Sequence, residues 1–154
     1  MTNDVELPRP LKVVKVVDFS HAWAGPVCTA LLGDSGADII KVEPITGDFY
    51  RTIMDGAVFL NVGRNKRSIA VDLKTDDGHR IALKLLESAD VLVENYVPGV
   101  MDRLGLGYET VSVMNPRIIY CSISGFGQVG PYRERPSFDP VAQAVSGIML
   151  ATGE

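Results

Sequence analysis

Apolar positions along the chain change period several times, and the changes divide it into alternating strands and helices. Leu11 to Phe19 (LKVVKVVDF) is β-branched and too apolar for a solvated strand, which predicts a central strand covered on both faces. Gly25-Pro26 then sets proline where a first helical turn accepts it, and Val27, Ala30 and Leu31 recur at helical spacing until Gly33 to Gly36 stop the pattern. Asp38 to Glu43 (DIIKVE) is a second strand, and Pro44 to Asn65, interrupted by Gly47, Gly56 and Gly63, predicts an irregular excursion. Ser68 to Leu73 is a third strand. Thr75 to Ala89 is a helix with Thr75 as N-cap, Asp76 and Asp77 in its first turn, and Ile81, Ala82, Leu85 and Ala89 on one face. Asp90 to Glu94 is a strand, Gly99 to Leu104 and Glu109 to Met114 are short helical turns, and Arg117 to Ser124 is the last strand. Asp139-Pro140 is expected to cap a final helix whose Val141, Val145 and Ile148 share a face.

This alternation implies right-handed crossovers and the α/β class: a Rossmann-like, mainly parallel sheet with helices on both faces. Such sheets bind ligands at the carboxyl ends of their strands. That directs attention to His21 to Pro26, Glu43 to Asp48, Asp72 to Lys74, Asn95 to Gly99 and Ser124 to Asp139. No internal repeat or linker divides the chain, so residues 11–154 are expected to form one unit behind a flexible segment, residues 1–10. The pattern ends at Thr152-Gly153-Glu154 directly after a helix, and a continuation is expected.

Composition narrows the classes. With 154 residues, 46% of them hydrophobic and 22% charged, the chain can bury a core. A net charge of -4 and one short basic run, Arg64 to Arg67, make nucleic acid an unexpected partner. No apolar stretch long enough to span a bilayer occurs, and Met1 to Pro10 is polar and acidic, so no membrane association and a cytoplasmic location are expected. Cys28 and Cys121, without a CxxC or a nearby histidine, are expected to be reduced packing residues, and no metal is expected.

Single motifs carry little. Gly125 to Gly130 matches GxGxxG and follows a strand, but Pro131 and Pro136 come where a helix should open, which argues against a nicotinamide or flavin site. His21 lies on the loop after the first strand, where it is either a base or a structural hydrogen-bond donor. His79 is expected to be solvated. N-capping accounts for Asp139. Lys74, Arg103 and the Arg64 to Arg67 run are candidate phosphate ligands.

Taken in order, DFSHAWAGP (Asp18 to Pro26), GADIIKVEP (Gly36 to Pro44), NKRSIAVDLK (Asn65 to Lys74), ADVLVENYVPGVMDRLGLGYE (Ala89 to Glu109) and the segment from Asn115 to Gly147 resemble the amino-terminal part of the class III coenzyme A-transferases. That family also holds α-methylacyl-CoA racemase. The resemblance covers nearly every residue from Leu11 to Glu154 and implies a fold incomplete relative to that of the family. It implies coenzyme A, carried as acyl-CoA, as the ligand, bound by Trp23, Ala24, Val71, Asp72, Leu73, Lys74, Asn95, Tyr96 and Arg103. In the formyl-CoA branch a glutamine takes the position of Trp23. The family's aspartate nucleophile attacks an acyl-CoA to give a mixed anhydride, coenzyme A returns as an enzyme thioester, and a second carboxylate collects it. That aspartate is expected beyond residue 154, and the resemblance leaves Asp139 at most an auxiliary role.

The implied activity is transfer of coenzyme A from an acyl-CoA to a free carboxylic acid by a full-length enzyme that is a homodimer. One alternative is a truncated, non-catalytic fragment that binds coenzyme A or complements a partner chain. A second is the racemase, which carries histidine where this chain has Phe138, and Phe138 cannot transfer a proton.

Overall fold

The computed structural model describes residues 8–153. Five parallel strands form one sheet in the order β3-β2-β1-β4-β5, with β1 at Lys15–Asp18, β2 at Asp38–Glu43, β3 at Lys66–Ala70, β4 at Val91–Glu94 and β5 at Ile119–Ser122. Strand order reverses across β1. It pairs with β2 through Lys15 opposite Asp38 and with β4 through Val16 opposite Val91. Helices α1 (Ala24–Asp34), α2 (Ala57–Val62), α3 (Asp76–Glu87), α4 (Val100–Arg103) and α5 (Tyr108–Met114) fill the crossovers, and α6 (Asp139–Ser146) and α7 (Ile148–Thr152) follow the sheet.

Alternation along the strands divides the core into two layers. Val17 and Leu92 join Ala82 and Leu86 of α3, Met101 of α4 and Val111 of α5 on one face. Val16, Ile39 and Val93 meet Leu11, Val14 and Leu32 on the other. Neighbouring residues therefore point to opposite faces, and both faces are covered.

The predicted elements are present, with informative shifts. β1 begins at Lys15 because residues 10–13 form a turn, closed by the Val14 amide donating to the Leu11 carbonyl at 2.9 Å. The expected amino-terminal segment lies outside the described residues for 1–7, while the Arg9 carbonyl accepts from the Lys12 amide at 3.1 Å. β3 begins two residues earlier than expected, at Lys66, and ends at Ala70; residues 71–73 leave the sheet. β5 is likewise shorter than Arg117 to Ser124. The expected excursion from Pro44 to Asn65 contains two short 3-10 turns and α2. Thr75 caps α3 as predicted, its hydroxyl accepting from the Gly78 amide at 3.1 Å. Asp139 does not cap α6. Phe138 is the N-cap, and the Asp139 carboxylate accepts instead from the Gln143 amide group one turn on. Ile148 does not continue that helix either, because Gly147 at φ 80° turns the chain into α7.

Beneath the carboxyl end of β1 lies a closed polar network. One oxygen of Asp18 accepts from the Ser20 amide at 2.9 Å and from the Ser20 hydroxyl; the other accepts from Thr29 Oγ1 at 2.6 Å and Lys66 Nζ at 3.0 Å. Lys66 also donates to the Pro26 carbonyl at 2.8 Å and to Thr29 Oγ1 at 2.7 Å. The Lys66 and Asp18 side chains are 2% and 0% exposed, so both charges have left water, and each is compensated by its partner and by hydrogen bonds. Burial lowers the Lys66 pKa, against the opposing pull of Asp18.

Removing one partner of a buried pair strands the other. Lys66→Met is expected to cost about 3 kcal/mol of stability, whereas Arg67→Met, which breaks the exposed pair with Asp38, costs under about 1 kcal/mol. Urea unfolding of both variants checks the contrast, and equal midpoints would remove the network from this role.

Candidate functional site

A cleft of about 900 Å³ opens at the carboxyl ends of β1, β2, β3 and β4. Phe19, Val42, Val71, Leu73, Val100 and Leu104 give it apolar walls, and His21, Lys41, Glu43, Asp48, Asp72, Lys74 and Tyr96 supply its polar and charged groups. Its lip is the loop from Pro44 to Phe49 after β2, and its far wall is the turn after β4 together with α4.

Buried ion pairs hold the lip. Lys41 projects from the middle of β2, donates to the Ser20 carbonyl at 2.7 Å and meets Asp48 at 2.9 Å, with the two side chains only 3% and 4% exposed. Asp48 also accepts from the Tyr50 amide at 2.8 Å, capping the turn at Phe49–Arg51. Glu43 takes a bidentate contact from Arg51, with Nε and Nη2 each at 2.7 Å, and accepts from Ser68 Oγ at 2.6 Å and the Asp48 amide at 2.8 Å. Burial works against ionisation of Glu43, but the donors from Arg51, Ser68 and Asp48 outweigh it and hold its carboxyl at about 2.

The opposite wall is held across the β1/β4 switch point. The His21 amide donates to Asn95 Oδ1 at 2.8 Å, and Asn95 Nδ2 donates to the His21 carbonyl at 2.7 Å. The His21 ring sits 5.0 Å from the Tyr96 ring, tilted by 44°. Burial, the main cause, together with Lys41 lowers the His21 pKa against the opposing effect of Asp48. Ala22, at φ 61°, turns the chain from this wall into α1, a conformation that costs a non-glycine residue of the order of 1 kcal/mol. Gly25 is required by close approach, since a Cβ there would overlap the Ser20 side chain.

The structure brings Val71, Asp72, Leu73, Lys74 and Tyr96 together on the cleft. Among the described residues no carboxylate lies within ion-pair distance of Lys74, whose own amide donates to Asp72 Oδ1 at 3.0 Å. The other expected ligands do not line the cleft. Asn95 is the clamp behind His21. Trp23, 53% exposed, and Ala24 lie at the start of α1. Arg103 is exposed on α4, one turn from the lining residue Val100. Asp139 is exposed on α6.

Two further expectations change. The Arg64 to Arg67 run offers no shared phosphate surface, because Arg64 pairs with Asp34, Lys66 with Asp18 and Arg67 with Asp38. His79 is half-buried, with Nε2 3.4 Å from the Gly105 carbonyl, because Gly105 folds back over α3. The GxGxxG segment opens no helix: Gly125 lies in a turn and Gly130 in a bend, and α6 begins only at Asp139. Both cysteines are free and partly buried. Among the described residues no group of His, Cys, Asp and Glu is arranged to hold a metal ion, and no helix is long and apolar enough to cross a membrane.

The strand-end rule pointed to the Glu43 to Asp48 segment, but not to Lys41, Glu43 and Asp48 as its framework. The available signal was a lysine inside a fully covered parallel strand, which demands a buried acceptor.

A parallel sheet with its cleft at the carboxyl strand ends is the layout of a ligand-binding α/β protein. The profile of the family described as CoA-transferase family III matches residues 11–154. Human succinyl-CoA:glutarate CoA-transferase is 47% identical, the match covering 98% of this chain and 36% of that protein. Acetyl-CoA:oxalate CoA-transferase of Acetobacter aceti is 46% identical over 99% of this chain and 41% of its own. The crystal structure of a CAIB/BAIF family protein from Brucella suis superposes with a TM-score of 0.90 at 43% identity, covering 96% of this chain and 42% of that one. The chain therefore belongs to CoA-transferase family III, and it spans well under half the length of each of these relatives.

Glu43 gives the site a pH signature. Its pKa in the fold, about 2, lies below the ordinary 4.5, so its contribution is fully present above about pH 4.5 and is lost as pH falls toward 2. Unfolding free energies measured between pH 5 and pH 2 are expected to drop by about 1–3 kcal/mol more in the parent chain than in Glu43→Gln, the range allowing for the solvent-facing side of Arg51.

Proposed function

We propose that this chain is the coenzyme A-binding portion of a transferase that moves coenzyme A from an acyl-CoA to a free carboxylic acid. The observation that carries the reading is the strand-end cleft, apolar within and cationic at Lys74, in a chain of CoA-transferase family III. Apolar walls suit the pantetheine arm, and the Tyr96 ring offers a flat surface to it or to the nucleotide. Glu43 and Asp48 are compensated by Arg51 and Lys41, so neither presents a bare negative charge to the phosphates. Lys74 and Arg103 are the proposed phosphate ligands, Arg103 approaching from the face of α4 that it shares with Val100.

By the same family resemblance, the complete enzyme is read as a cytoplasmic homodimer. Its nucleophilic aspartate lies in the region of the family fold that follows Glu154. The aspartate carboxylate attacks the thioester carbonyl and displaces the coenzyme A thiolate. The thiolate then attacks the enzyme side of the mixed anhydride, releasing the donor acid and leaving coenzyme A on the aspartate for the incoming carboxylate. The role of residues 11–154 in that sequence is to bind and orient coenzyme A. Asp139 is at most auxiliary, and Phe138 favours transfer over racemisation.

Calorimetric titration of coenzyme A into this chain tests the reading. The parent chain is expected to bind, and Lys74→Ala and Arg103→Ala are each expected to weaken binding by about 1–3 kcal/mol through loss of a charge-assisted hydrogen bond. No heat of binding with the parent chain would overturn the proposal, and an unchanged titration would remove the substituted cation from the site.

A further inference from the structure

The backbone of His21 is engaged on both sides by Asn95, yet neither ring nitrogen of His21 has a hydrogen-bond partner among the described residues. Its ring packs against Tyr96 and lines the cleft. The expectation of a structural donor is therefore met by no protein acceptor. The two charged groups acting on the imidazole, Asp48 and Lys41, are already paired with each other, so neither draws it into an ion pair. The exposed ring, packed on Tyr96 and facing the cleft, has a hydrogen bond to give to a ligand rather than to the fold.

We propose that His21 donates the cleft's hydrogen bond to an uncharged carbonyl oxygen of the bound ligand, either an amide of the pantetheine arm or the thioester itself. This rests on the coenzyme A reading above. β2 lies between β3 and β1, so strand spacing places the end of β1 about 10 Å across the sheet from the end of β3. A ligand with phosphate near Lys74 and an extended arm crossing the sheet reaches His21 with the carbonyl-bearing part of that arm. An imidazole N–H serves such an oxygen without bringing a charge into an apolar-walled cleft.

The test is titration of coenzyme A and of acetyl-CoA into the parent chain, His21→Phe and His21→Gln. His21→Phe is expected to bind at least one ligand about fivefold more weakly, the worth of one neutral hydrogen bond, and His21→Gln, which keeps a donor, recovers affinity to within about twofold. Loss confined to acetyl-CoA assigns the thioester carbonyl, and equal loss for both ligands assigns an amide of the arm. Melting temperatures of the two variants stay close to that of the parent, because the ring makes no protein hydrogen bond. Parent-like affinity of His21→Phe for both ligands overturns the role of His21 and leaves the coenzyme A reading standing. Failure of the parent chain to bind either ligand overturns both.

Discussion

The buried contact between Lys66 and Asp18 is the constraint from which the site is built. Asp18 ends the central strand and Lys66 begins the edge strand beyond β2, so the pair ties together parts of the sheet that share no ladder. Thr29 and the Pro26 carbonyl bring the start of α1 into the same network, and Ser20 brings in the loop that leads to His21. A charge this far from water has few geometries that satisfy it. The network therefore holds α1 against β1 and sets the depth from which the next loop leaves the sheet.

A second buried lysine, Lys41, repeats the device one strand over. It reaches the Ser20 carbonyl and Asp48, and so fixes the lip of the cleft relative to its floor. On the far side of β1 the amide side chain of Asn95 does the equivalent work without charge. The cleft thus has a rigid frame of ion pairs and amide contacts behind its apolar walls. The lining of the cleft is chiefly apolar, and His21, Tyr96 and Lys74, the groups assigned to coenzyme A in the proposal, form no ion pair among the described residues.

Past β5 the character of the chain changes. Most positions from Gly125 to Gly153 are exposed, including large apolar side chains such as Phe138, Val145 and Leu150, whereas the sheet and the helices before it bury their apolar faces. Both α6 and α7 lack any buried residue. This explains why periodicity misjudged the region: Val141, Val145 and Ile148 have the spacing of a core-facing helix, but no core lies beneath them and Gly147 ends the helix first.

The order and type of the elements were legible in the sequence because β-branched runs, the Thr75 cap and the glycine stops act locally, within a turn or a strand's length. The family was legible too, since its motifs occupy the strand-end loops in order, and these also located part of the cleft through Val71 to Lys74 and Tyr96. What the sequence could not supply was the identity of partners distant along the chain. Lys66 resembled one cation in a basic run until the fold buried it on Asp18, and nothing local in the sequence joined the Asn95 side chain to the backbone of His21. Local propensity and motif order depend on neighbours in sequence and can be read directly. Burial and charge pairing depend on neighbours in space, and only the assembled sheet and its helices decide which of the chain's polar groups are consumed in holding it together.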